Sequence, residues 1–87
     1  MPKISEFYGI IILMFYDESH GKPHIHAKYG GERAVFAIET GELLVGKIPH
    51  NKERMVRKWI KIHKSELMVD WKMASSNETL LKIEPLR

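Results

Sequence analysis

Hydrophobic spacing along the chain changes character three times. From Tyr8 to Tyr16, YGIIILMFY is apolar at nearly every position and rich in β-branched and aromatic side chains. That is the pattern of a strand buried on both faces or at the centre of a sheet. From His24 to Tyr29, HIHAKY alternates with period two, and RAVFAI (Arg33–Ile38) and ELLVGKI (Glu42–Ile48) supply two further strands. Gly30-Gly31 and Thr40-Gly41 stand between them as tight-turn dipeptides, so the three strands form an antiparallel meander. DESHGKP, Asp17 to Pro23, is a loop by its Asp, Ser, Gly and Pro content.

Pro49 ends the meander, and Asn51 suits a helix N-cap. From Lys52 the spacing turns helical and holds as far as Ser75, with Asn77 suited to the C′ position. The tail LLKIEPL adds a short edge strand, limited by Pro85. The fold expected is α+β: an antiparallel β-meander of three to four strands, one long C-terminal helix and a short tail strand. A single domain covers residues 1–87.

Hairpin geometry then sorts the side chains, because opposed residues of an antiparallel pair point to one face. A turn at Gly30-Gly31 sets Tyr29 against Glu32, Lys28 against Arg33, His26 against Val35 and His24 against Ala37. A turn at Thr40-Gly41 sets Ala37 against Leu44 and Val35 against Gly46. One face carries His24, His26, Lys28, Arg33, Val35, Ala37 and Leu44. The other carries Ile25, Ala27, Tyr29, Ala34, Phe36, Ile38, Leu43 and Val45, and is the expected core face. A one-residue bulge would exchange these sets.

Composition narrows the class. The chain has 87 residues, 44% hydrophobic and 29% charged, with no cysteine. Disulfides and thiolate metal sites are excluded, and a reducing cytoplasm is the expected setting. The longest apolar run is far short of the roughly 20 residues a membrane span needs. So small a chain gains stability from a partner chain or a homodimer. Fourteen Lys and Arg against eleven Asp and Glu give a net charge of +3, which permits an anionic partner without demanding one.

The candidate chemistry lies in the histidines. His24 and His26 stand two strand residues apart, roughly 6.6 Å along the chain, so their rings can lean towards one point. His20 can add a third nitrogen, and three histidines with one open position make a catalytic zinc arrangement. A divalent metal such as zinc is therefore the candidate cofactor, with His20, His24 and His26 as ligands. The plainer alternative is a set of polar side chains on a half-exposed strand.

The helix carries two further sets. Arg54, Arg57, Lys58, Lys61 and Lys64 fall on one side, a track for phosphates or simply a solvated face. Met55, Val56, Trp59, Ile60 and Leu67 fall on the other, with His63, Glu66 and Asp70 near them. Glu66 lies within i,i+3 reach of His63. If the helix covers the histidine face of the sheet, His63 and Glu66 join His24 and His26 in one site. Otherwise they form an ordinary boundary pair.

HGKPHIHAKYGGERAVFAIETGEL, then VRKWIKIHKSELMVDW, then IEPL, resembles a bacterial family termed domain of unknown function 4160. Pro23, His24, His26, Trp59, His63, Glu66, Leu67 and Trp71 fall at the family's recurring positions. Lys22 stands where the family carries a further proline, leaving the loop less rigid. The resemblance implies a small protein from a toxin–antitoxin-like gene pair that binds a cognate small protein, with RNA as a further candidate partner. It supplies no reaction. Two other functions fit the residues. One is a phosphodiester hydrolase or nuclease using His24, His26, His63 and Glu66 as acid–base groups, with Lys28 and Arg33 offsetting phosphate charge. The other is a non-catalytic divalent metal site.

Overall fold

Tyr8 and Gly9 take positive φ, 50° and 80°, and fold the chain back on itself before the apolar run begins. The expected single strand from Tyr8 is therefore a hairpin, β1 (Lys3–Phe7) and β2 (Ile10–Leu13). Two residues of left-handed backbone match the twist of a tight hairpin, and Gly9 supplies one of them at no steric cost. A computed structural model of the protein describes residues 3–16 and 21–87.

The meander continues through β3 (His24–Tyr29), β4 (Glu32–Ala37) and β5 (Leu43–Gly46). All five strands form one antiparallel sheet in sequence order. The β3–β4 register is the one the Gly30-Gly31 turn dictates, from His24 opposite Ala37 to Tyr29 opposite Glu32.

The β4–β5 register is not. Phe36 pairs with Leu43 and Val35 with Val45, across an irregularity between Val35 and Phe36. Thr40-Gly41 does not close a two-residue hairpin. Instead, Gly41 N–H donates to the Ala37 carbonyl and Ala37 N–H to the Glu42 carbonyl. Leu44 therefore does not oppose Ala37, and Val45, expected in the core, is 65% exposed opposite Val35. Gly46 fits the close of this strand: its φ is 79°, and a Cβ there would lie 2.3 Å from the Arg33 carbonyl oxygen.

The helical region is two helices, α1 (His50–Ile62) and α2 (Lys64–Ser75), rather than one. Between them His63 leaves helical geometry at φ −108° and ψ 23°. No proline or glycine marks the break. The N-cap is Pro49, not Asn51: the Pro49 carbonyl accepts from Lys52 N–H and Glu53 N–H, both at 2.9 Å. At the other end Asn77, at φ 58°, takes the C′ role expected of it. Glu78 N–H donates to the Met73 carbonyl and Asn77 N–H to the Ala74 carbonyl, the paired bonds of a Schellman motif.

Both helices bury their apolar stripe on the Ile25–Ala27 face of the sheet. Val56, Trp59, Ile60 and Leu67 join Ile4, Ile12, Ile25 and Phe36 in one core, each at most 1% exposed. Phe7 and Trp59 meet at 5.4 Å between ring centres. The tail forms no strand. It lies against β1 through Ile83 N–H, which donates to the Ile4 carbonyl at 2.8 Å, and Lys82 Nζ, which donates to the Lys3 carbonyl at 2.7 Å. The Trp59 indole N–H donates to the Glu84 carbonyl, also at 2.8 Å, so the buried tryptophan has its polar edge satisfied.

Candidate functional site

Alternation along β3 turns Ile25 and Ala27 fully inward and leaves His24, His26 and Lys28 half-buried on the opposite face. β2 sets Leu13 beside His26 and Ile11 beside Lys28. β4 sets Arg33, Val35 and Ala37 beside Lys28, His26 and His24. The helices and their core lie on the other side. The two imidazoles therefore share the face opposite the main core with Lys28 and Arg33, beside the buried Leu13 and Ala37.

The imidazoles sit in a row of rings. His24 and His26 are 5.3 Å apart between ring centres. The edge of Phe15 meets His26 at 4.7 Å and 86°. Trp71 of α2 meets His24 at 5.1 Å. Such contacts hold rings in place without using their nitrogens. His24 is further fixed by its Nδ1–H, which donates to the Lys22 carbonyl at 2.9 Å. In the neutral ring that bond makes Nε2 the nitrogen with the lone pair, the one able to accept a proton or bind a ligand.

Lys28 and Arg33 face each other directly across the strands. Like charges in that position destabilise a sheet unless an anion lies between or above them. A carboxylate or phosphate beside the pair would offset that cost.

His63 and Glu66 do pair, Nδ1 to Oε1 at 2.5 Å, and the His63 ring lies against Trp59 at 5.5 Å. They do so on the helical side of the sheet, and no three His, Asp or Glu side chains gather to hold a metal ion among the described residues. The pair therefore does not complete a site around His24 and His26. His20, the third nitrogen of the expected zinc set, lies outside the described residues. His24 and His26 alone are two of the three ligands that such a site needs.

Asp70 is the other ionisable group of note. Its side chain is buried, one carboxylate oxygen accepts from Leu81 N–H at 3.0 Å, and the second has no hydrogen-bond partner. Burial raises its pKa above the ordinary 3.8; the Leu81 bond opposes the rise and the Glu66 charge adds to it. Arg54, Arg57, Lys58 and Lys61 are all exposed on α1, as the helical spacing requires. Phe15 and Trp71 are the partners that sequence reasoning did not give the histidines. Trp71 was visible as a family position, but only the path of α2 brings it to His24.

These features define a small α+β domain: one sheet face sealed by two helices, the other carrying a fixed pair of histidines beside two opposed cations. The chain belongs to the family described as domain of unknown function (DUF4160), whose model matches residues 9–72. Neither the curated proteins nor the solved structures hold a match to it. No helix among the described residues is long and apolar enough to cross a membrane.

Proposed function

We propose that this protein is a partner-binding module, and that a second small protein bearing surface carboxylates docks on the face that carries His24 and His26. The observation that carries this reading is the composition of that face. Opposed Lys28 and Arg33 want an anion, and exposed Val45 beside half-buried Val35 wants apolar cover. The ring row from Phe15 to Trp71 adds the rigid aromatic surface on which interface energy concentrates. A role as one member of a toxin–antitoxin-like pair, which the family resemblance implies, agrees with such a surface.

The test is co-expression with the product of the neighbouring gene. The two proteins should elute together on size exclusion. Lys28→Glu with Arg33→Glu should separate them while leaving the circular dichroism spectrum unchanged. A chain that stays monomeric, and leaves growth unaffected with or without that neighbour, overturns the proposal.

A second reading rests on one bond. The His24–Lys22 contact presents Nε2 as a proton acceptor, as a general base for phosphodiester cleavage requires. His26 would serve as acid, and Lys28 and Arg33 would hold the phosphate. Replacing both histidines with alanine should abolish cleavage of RNA by folded protein; unchanged cleavage rejects the assignment.

A further inference from the structure

The segment from Arg54 to Lys64 holds five of the chain's fourteen Lys and Arg residues and no acid. The whole chain is only +3, so the remainder is net negative. Positive charge is thus concentrated on α1 and the start of α2, away from the histidine face.

The fold gives this charge a shape. Arg57, Lys58, Lys61 and Lys64 line one side of a groove of about 580 Å³, and the loop from Ile38 to Gly41 lines the other. Glu39 is the single carboxylate in it. The loop packs on α1 at Gly41, which is buried near the Arg57 carbonyl oxygen, and Thr40 Oγ1 accepts from Glu42 N–H. The positive charge is barely compensated. Arg57 reaches Glu53 only at 3.8 Å, and Lys58, Lys61 and Lys64 make no ion pair among the described residues.

Lys58 also borders a second groove of about 530 Å³, with Arg54 and Tyr8. Tyr8 stands 55% exposed at the tip of the β1–β2 turn. Cations from Arg54 to Lys64 spread over roughly 15 Å of helix, too far for one small anion to meet them all. A chain of phosphates can. An exposed aromatic ring beside such a track is a platform on which a nucleobase stacks.

We propose that the α1 side of this protein binds single-stranded nucleic acid. Its phosphates follow Arg54, Lys58, Lys61 and Lys64, and one base stacks on Tyr8. Phosphate contact and ring stacking are both indifferent to base identity, so recognition is tolerant of sequence. This site is separate from the histidine face and does not depend on what docks there.

Fluorescence anisotropy with labelled oligouridine and oligodeoxythymidine tests it, each titrated between roughly 50 and 200 mM salt. Four neutralised phosphates give a slope of log K against log salt of about −3 on a single strand. Lys58→Glu with Lys61→Glu should weaken binding by at least about tenfold and make the slope shallower by about 1.4. Tyr8→Ala should weaken binding by about tenfold and leave the slope unchanged. Lys47→Glu with Lys72→Glu, two exposed cations outside the track, should change neither, and thermal melts confirm that each variant is folded. Comparing the two oligomers separates RNA from DNA as the source of the phosphates. Three outcomes overturn the proposal: no salt-dependent binding, an equal loss of binding through the Lys47 and Lys72 changes, or equal competition by polyglutamate with Tyr8→Ala silent.

Discussion

The indole of Trp71 and the imidazole of His24 meet at 5.1 Å between ring centres, which ties the second helix to the first residue of the third strand. Trp71 is 7% exposed and belongs to the core. The candidate site and the hydrophobic interior therefore share a side chain. Any change to one is felt by the other.

The two rings should nonetheless differ in what they cost to remove. Trp71→Ala should lower stability by about 3–5 kcal/mol, the range for a large core aromatic. His24→Ala removes a half-buried ring and its bond to the Lys22 carbonyl, so it should cost about 1 kcal/mol. Urea denaturation of the two variants checks the difference. Equal losses would mean that the His24 ring is as deeply embedded as the indole.

The Lys22 bond makes a spectroscopic prediction. In the neutral ring, nitrogen NMR should find the His24 proton on Nδ1 rather than on Nε2. A proton on Nε2 would remove the basis for using His24 as a base at that nitrogen.

Gly46 should be irreplaceable by larger residues. Its positive φ and its approach to the Arg33 carbonyl leave no room for a Cβ. Gly46→Ala should cost about 1–3 kcal/mol from backbone strain, before any displacement of β5 is counted. Thermal melting reads the loss. A neutral substitution would show that β5 can leave β4 at no cost.

Asp70 makes stability depend on pH with a defined sign. Its pKa is raised in the folded protein, chiefly by burial, so the native state holds the proton more tightly than the unfolded chain does. The stability it contributes is full below the unfolded value and declines as pH rises through the folded value. Asp70→Asn keeps an oxygen for Leu81 N–H and cannot ionise. The variant should gain on the wild type as pH rises from about 4 to 7. Parallel melting curves for the two proteins across that range would refute this assignment.

The sequence disclosed strand parity better than chain path. His24 and His26 share a face because a Gly-Gly turn leaves little choice of register. Leu43 keeps the core face expected of it, but Val45 does not, because the loop after Ala37 closes through two backbone bonds that no residue pattern announces. The β1–β2 turn was missed because Tyr8-Gly9 opens an unbroken apolar run, which masks a turn signal. The break at His63 falls among good helix formers, with no Gly or Pro to mark it. Of the candidate site, the imidazole pair and its two cations were legible. Phe15 and Trp71 were not, since ring contacts depend on where β2 ends and α2 arrives.

The bond from Ile83 to Ile4 joins positions near opposite ends of the sequence. During synthesis, β1 and β2 can pair as soon as they emerge, but the outer margin of β1 waits for residue 83 to leave the ribosome. Trp59 waits with it, its indole N–H lacking an acceptor until Glu84 arrives. The nascent chain therefore carries its largest core side chain incompletely satisfied until Glu84 is made, and consolidation of the domain waits on that segment.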